Sequence, residues 1–166
     1  KSRITSSSLM MAAWAISLIG LFNIAGCFLW GSLGGRVRKK YLLCWLYGLR
    51  SVVMAAFILL PVDNTSVVLF SAAMGILWLG TVPLTGGVVA QIFGVRYMAT
   101  LFGFCFVCHQ IGSFLGIWVA GRLYAIYGNF TAIWWAAIAF GLVSALLNYP
   151  ITDRPMARLA ERHANA

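Results

Sequence analysis

Five apolar runs, at residues 9–33, 41–60, 67–93, 98–120 and 132–148, fill nearly the whole chain, and only short connectors separate them. A bilayer with a hydrocarbon core of about 30 Å is crossed by a helix of roughly 20 apolar residues. Each run meets that requirement, and too little chain is left over for a separate soluble domain. Inside hydrocarbon the backbone must satisfy its own polar groups, so a spanning run of this kind is helical. The expected fold is therefore all-α, a polytopic transmembrane helix bundle with five membrane-spanning helices. Composition agrees: 62% hydrophobic against 9% charged residues, with a mean hydropathy of +0.92, lies far from soluble usage.

The connectors read GGRVRKK at 34–40, PVDNTS at 61–66, GVRYMAT at 94–100 and GRLYAIYGNFT at 121–131, with a polar tail from Pro150. A formal net charge of +9 would ordinarily point to nucleic acid. Eight of the twelve basic residues, however, are Arg36, Arg38, Lys39, Lys40, Arg96, Arg154, Arg158 and Arg162. They fall in three connectors that alternation puts on one side of the membrane. Lys and Arg accumulate in short cytoplasmic loops, so the charge reports topology and no nucleic-acid partner is expected. Residues 1–150 are the membrane part and 151–166 a cytoplasmic tail. Lys1 and Arg3 then fall on the outer side, against the rule but outnumbered. An odd number of spans and the absence of an initiator Met imply that Lys1 is an internal position and that an N-terminal part of the protein is missing.

Two local patterns invite other readings. Ile24-Ala25-Gly26-Cys27 after a basic start resembles a lipoprotein signal, but Phe28, Leu29 and Trp30 continue the apolar run where a mature chain should turn polar. Cys105-Phe106-Val107-Cys108-His109 has the spacing of covalent haem attachment. It lies amid Leu101, Phe102, Phe104, Ile111 and Phe114 in the middle of a span, beyond the reach of attachment chemistry, and two polarizable thiols packing in a helix is the plainer account. No cofactor and no metal site is expected.

Polar residues inside the spans are few: Asn23, Arg50, Thr81, His109 and Gln110. At 1.5 Å per residue each lies about 15–18 Å from the basic end of its helix, close to the midplane. A charge at that depth faces protein or water, so Arg50 needs an anionic ligand, backbone carbonyls or an acid on another helix. No span contains an acid, because Asp63, Asp153 and Glu161 all lie outside. His109 is the one intramembrane group able to exchange a proton near neutral pH. Pro83, within GTVPLTGG, deprives its helix of one bond and predicts a helix break there. Gly31-x-x-x-Gly35 and Gly112-x-x-x-Gly116-x-x-x-Ala120 read as faces of close helix contact. Trp134, Trp135 and Tyr149 read as interfacial or packing aromatics.

Gly31-Ser32-Leu33-Gly34-Gly35-Arg36-Val37-Arg38-Lys39-Lys40 resembles the loop signature G-x-L-x-D-R-x-G-R-R of the major facilitator superfamily, in its second-half copy. The stretches IGLFNIAGCFLWG, GTVPLTGGVVAQIFGVRYMATLFGF, HQIGSFLG and GRLYAIYGNFTAIWW are similar to bacterial members related to monocarboxylate transporters. The resemblance implies a partial fold of that family, helices eight to twelve, in a bacterial inner membrane, with the missing N-terminal half as a partner alongside the lipid bilayer. Gly31, Arg36, Lys39 and Lys40 carry the loop signature. Gly35 replaces its acid and Arg38 a glycine, so the acid's part in holding the outward-facing state does not transfer. The family arrangement makes Asn23, Trp78, Thr81, His109 and Gln110 candidates to line a central cavity and moves Arg50 towards a structural role. The implied activity is secondary transport by alternating access of a small organic anion such as a monocarboxylate; proton coupling through His109 is a further expectation, resting on the chemistry of that side chain. The alternative is a non-transporting membrane subunit, either a sensor or a haem-bearing electron carrier using Cys105, Cys108 and His109. An enzyme is not expected, since there is no carboxylate pair, activated nucleophile or phosphate-binding glycine loop.

Overall fold

A computed structural model describes residues 6–153, and these form six α-helices without a strand. They are α1 (Ser6–Gly34), α2 (Lys39–Leu59), α3 (Asn64–Trp78), α4 (Thr81–Phe93), α5 (Val95–Tyr127) and α6 (Thr131–Asn148). α3 and α4 follow one another as a single membrane-crossing unit, Asn64–Phe93, so five units are long and apolar enough to span a bilayer. The all-α, five-span expectation is met. Lys1, Arg3 and the tail residues from Arg154 onward lie outside the described residues.

Local chemistry sets the helix ends. Asp63 caps α3: its carboxylate accepts from the Ser66 N–H at 2.7 Å, while its own N–H donates to Ser66 Oγ at 2.8 Å. This reciprocal pair satisfies two donors that a helix start leaves open. The Ser66 N–H, followed by its hydroxyl, holds the Asp63 carboxyl below the usual carboxylate range. Gly94 and Gly128 adopt φ of 80° and 66°, a region costly for other residues, and there the chain leaves α4 and α5. The fourth span consequently runs past the expected 98–120 to Tyr127. Gly121 and Arg122 do not end it, because one glycine only weakens a helix and Arg122 lies against the Trp118 ring at 5.9 Å.

α1 lies along α3, α2 along α6, and α2 also meets α3 and α4. The centre is a cluster of Trp30, Leu42, Leu43, Leu46, Leu77, Leu84 and Val88. α1 and α3 approach so closely at Gly26 and Gly75 that a Cβ on either would meet the backbone of Ile76 or Ile19. Ser51 from α2 reaches the Ile138 carbonyl of α6 at 3.3 Å beside Gly141. At the far end of that seam Phe57, Phe70 and Trp134 stack with centroids 4.2–5.9 Å apart, so Trp134 is a packing aromatic. α5 stands at the edge, against α4 and lightly α6, with no buried residue along its length.

At one end the connectors are tied together. Arg38 donates to both Asp153 oxygens, from Nε at 3.1 Å and from Nη2 at 2.6 Å. The Asp153 side chain is only 2% exposed, against 54% for Arg38. Gln91 at the end of α4 donates to the Asp153 carbonyl at 2.8 Å and accepts from Lys39 Nζ at 3.1 Å. Lys40 reaches the Tyr149 carbonyl at 3.4 Å. The α1–α2 turn, the α4 terminus and the chain after α6 therefore share one end, as alternation of spans requires.

Candidate functional site

Pro83 has no N–H to offer the carbonyl four residues back, that of Leu79. The Val82 N–H turns to the Leu79 carbonyl instead, at 3.0 Å. That bond is one residue too short for an α-helix, and the ladder fails at Leu79 and Gly80. The expected break is thus displaced: Pro83 causes it but sits in the first turn of α4, where a missing N–H leaves no intrahelical bond unmade. Gly80 fits the gap because a side chain there would run into the Trp30 ring and Leu46.

Such a break leaves the last carbonyls of α3 without N–H donors, and in hydrocarbon each would cost several kcal/mol. Neighbouring side chains take them. Trp30 Nε1 donates to the Ile76 carbonyl at 3.0 Å. Arg50 Nη2 donates to those of Leu77 at 2.7 Å and Trp78 at 2.9 Å. Thr81 Oγ1 shares the Trp78 carbonyl at 3.5 Å. Asn23 Oδ1 accepts from the Leu79 N–H at 3.0 Å. The guanidinium also lies over the rings of Tyr47 and Trp78, 5.4 Å from each centroid. A cation at the negative end of α3 gains from the helix dipole as well.

Beside the break opens a cleft of about 390 Å³ lined by Cys27, Phe28, Leu79, Val82 and Pro83. None of the sequence-predicted cavity residues lines it, but three of them, Asn23, Trp78 and Thr81, lie close along the chain to residues that do. Asn23 lies one turn from Cys27, and Trp78 (49% exposed) and Thr81 flank Leu79 and Gly80. Asn23, Arg50, Trp78 and Thr81 are therefore brought together at one depth.

His109 and Gln110 do not join them. Both are exposed on α5, with Phe106 beside His109 at 6.1 Å between ring centroids. Met98 and Phe102 of α5 pack over Gly86 of α4. Steps of three and four from Phe102 lead along the same face to Cys105, His109, Gly112 and Gly116. There the two helices have parted, and Gly112 and Gly116 meet nothing within 4 Å. The expected contact stripe on α5 is thus unoccupied among the described residues, and Gly31 only grazes Pro83, at 4.0 Å from an added Cβ. Cys105 and Cys108 are exposed free thiols. Among the described residues no group of three or more His, Cys, Asp or Glu could hold a metal. Of the loop signature, Arg36 is exposed in the turn while Lys39 and Lys40 open α2.

Sequence reasoning missed Trp30, Gly26 and Gly75. Trp30 carried a readable signal, since a buried indole N–H needs an acceptor and Pro83 frees one. Ser71-x-x-x-Gly75 was a small-residue pair as legible as those singled out, and Ser71 is 1% exposed.

The family model described as Major Facilitator Superfamily matches residues 2–165. No curated protein and no solved structure matches the chain.

Proposed function

Because the chain belongs to the Major Facilitator Superfamily, a family of membrane transporters, we propose that it is the second-half bundle of a secondary transporter that moves a small organic anion. The basic end with Arg36, Arg38, Lys39 and Lys40 faces the cytoplasm of a bacterial cell, as the excess of Lys and Arg favours. A first-half bundle of the same transporter covers the open face of α5, and the two halves rock about a midplane site to expose it alternately.

The observation that carries this reading is the broken third span beside an open cleft. Discontinuous helices at the midplane put backbone dipole ends where a ligand can meet them. The start of α4 lies about 18 Å from its basic end by helix rise, and its positive dipole end favours an anion. The spans supply no acid to oppose one. Asn23, Trp78 and Thr81 give polar and aromatic contacts at that depth, while Phe28, Val82 and Pro83 offer an apolar wall for a short hydrocarbon part. His109 and Gln110 approach from α5 when the halves close, and His109 carries the coupled proton.

Counterflow of labelled short-chain monocarboxylates into proteoliposomes of the full-length protein tests the proposal. Accumulation above that of protein-free vesicles is expected, with pH dependence lost in His109→Gln. Absence of counterflow for every organic anion tried contradicts the substrate class, and unchanged pH dependence in His109→Gln removes its proton role.

A further inference from the structure

We infer that Arg50 is the cap that makes the Pro83 break tolerable, and that it serves transport as a positioning residue, through Trp78 and Thr81, without contacting the substrate. The first half stands on the break itself; the second rests on the transport reading above.

In an uninterrupted helix the carbonyls of Leu77 and Trp78 would accept from the N–H groups of Thr81 and Val82. Pro83 draws the Val82 N–H to Leu79, and the carbonyls of Leu77 and Trp78 pass to Arg50 Nη2. Arg50 and Pro83 are in this sense one device: the proline frees the carbonyls and the guanidinium receives them. Neither carbonyl could be left bare in hydrocarbon, and without them Arg50 would be an unpaired charge at the midplane.

The same geometry denies a substrate anion a two-point hold on Arg50. A carboxylate is held best by two N–H groups on one edge of the guanidinium. Here Nη2 is engaged with two carbonyls, and Nε is buried with no hydrogen-bond partner among the described residues. The rings of Tyr47 and Trp78 flank the charge. What Arg50 does control is the placement of Trp78, whose carbonyl and ring it both touches, and of Thr81, which shares that carbonyl.

The test is a thermal double-mutant cycle in detergent on the full-length protein, with Arg50→Met, Pro83→Ala and the double variant, joined to binding of labelled monocarboxylate. Arg50→Met is expected to lower Tm by about 5 °C or more, or to prevent accumulation of folded protein. Pro83→Ala restores the N–H that Leu79 needs and returns the Val82 and Thr81 donors to Trp78 and Leu77. The double variant should therefore recover at least half of the loss. Arg50→Lys, keeping charge and a donor without the fork, should fall between. In Arg50→Lys, which leaves Pro83 and the cleft it lines in place, the monocarboxylate Kd should stay within about threefold while uptake slows by about tenfold, the kind of split that separates binding from a later step. A Tm loss equally large with and without Pro83, an Arg50→Met protein as stable as the parent, or a tenfold weaker Kd at unchanged Tm would each overturn the inference. Should the unaltered protein bind no organic anion, the transport reading fails and the thermal cycle alone decides the cap.

Discussion

One absent hydrogen, that of the Pro83 amide, propagates through four side chains. Asn23, Trp30, Arg50 and Thr81 each answer a backbone group released at the break. Trp30 gives the cleanest single-residue test, because Phe keeps most of the ring in its buried site, 7% exposed, and removes only the donor. Trp30→Phe should cost about 1–3 kcal/mol by leaving the Ile76 carbonyl unpaired, read as a lowered Tm with unchanged helix content. At the basic end, the hydrogen bond from Arg38 holds the Asp153 carboxyl below the ordinary aspartate value of 3.8. A carboxylate lowered in the folded state adds stability that is fully present above that value and is lost as pH falls below it. Asp63 titrates in the same direction. Thermal stability should therefore be flat from neutral pH to about 5 and fall below about 4, and Asp153→Asn should shrink that fall. That Arg50 needed a partner was legible from its depth in an acid-free span. Which partner it takes was not, since the carbonyls become free only through the fold.

At the scale of elements, the glycines that matter sit at crossings that no single-helix pattern reveals. Gly26 and Gly75 let α1 and α3 touch backbone to backbone, so Gly26→Leu or Gly75→Leu should force the helices apart. Overpacking of this kind costs about 1–3 kcal/mol or more, and thermal unfolding in detergent measures it. Gly112→Leu and Gly116→Leu meet open space in this bundle and should leave its stability unchanged. Their effect should appear instead in uptake, because the proposal puts the partner half against that face. Five spans could be read directly from the sequence, because apolar length against bilayer thickness is a one-dimensional criterion. Helix ends were less legible. α5 runs on through Gly121 to the left-handed Gly128, and the third span divides ahead of its proline, where the donor is missing.

For the molecule as a whole, the fold leaves one helix, α5, without a buried residue while it carries His109, Gln110 and two thiols at mid-depth. Polar groups at that depth face protein or water, which is why the proposed transporter turns this face to its cavity and its other half. The tie among Arg38, Gln91 and Asp153 fixes the α1–α2 turn, the end of α4 and the segment after α6 to one side of the bundle. Asn129, whose side chain caps the Thr131 N–H at 3.1 Å in the α5–α6 turn, belongs to the opposite side. Sidedness tests the membrane-threaded transporter most directly. With Cys27, Cys44, Cys105 and Cys108 replaced by Ala, single cysteines at Val37 and Asn129 are labelled in intact cells by a membrane-impermeant maleimide. Asn129→Cys should react from outside and Val37→Cys only after permeabilisation; equal labelling of both in intact cells would contradict this threading.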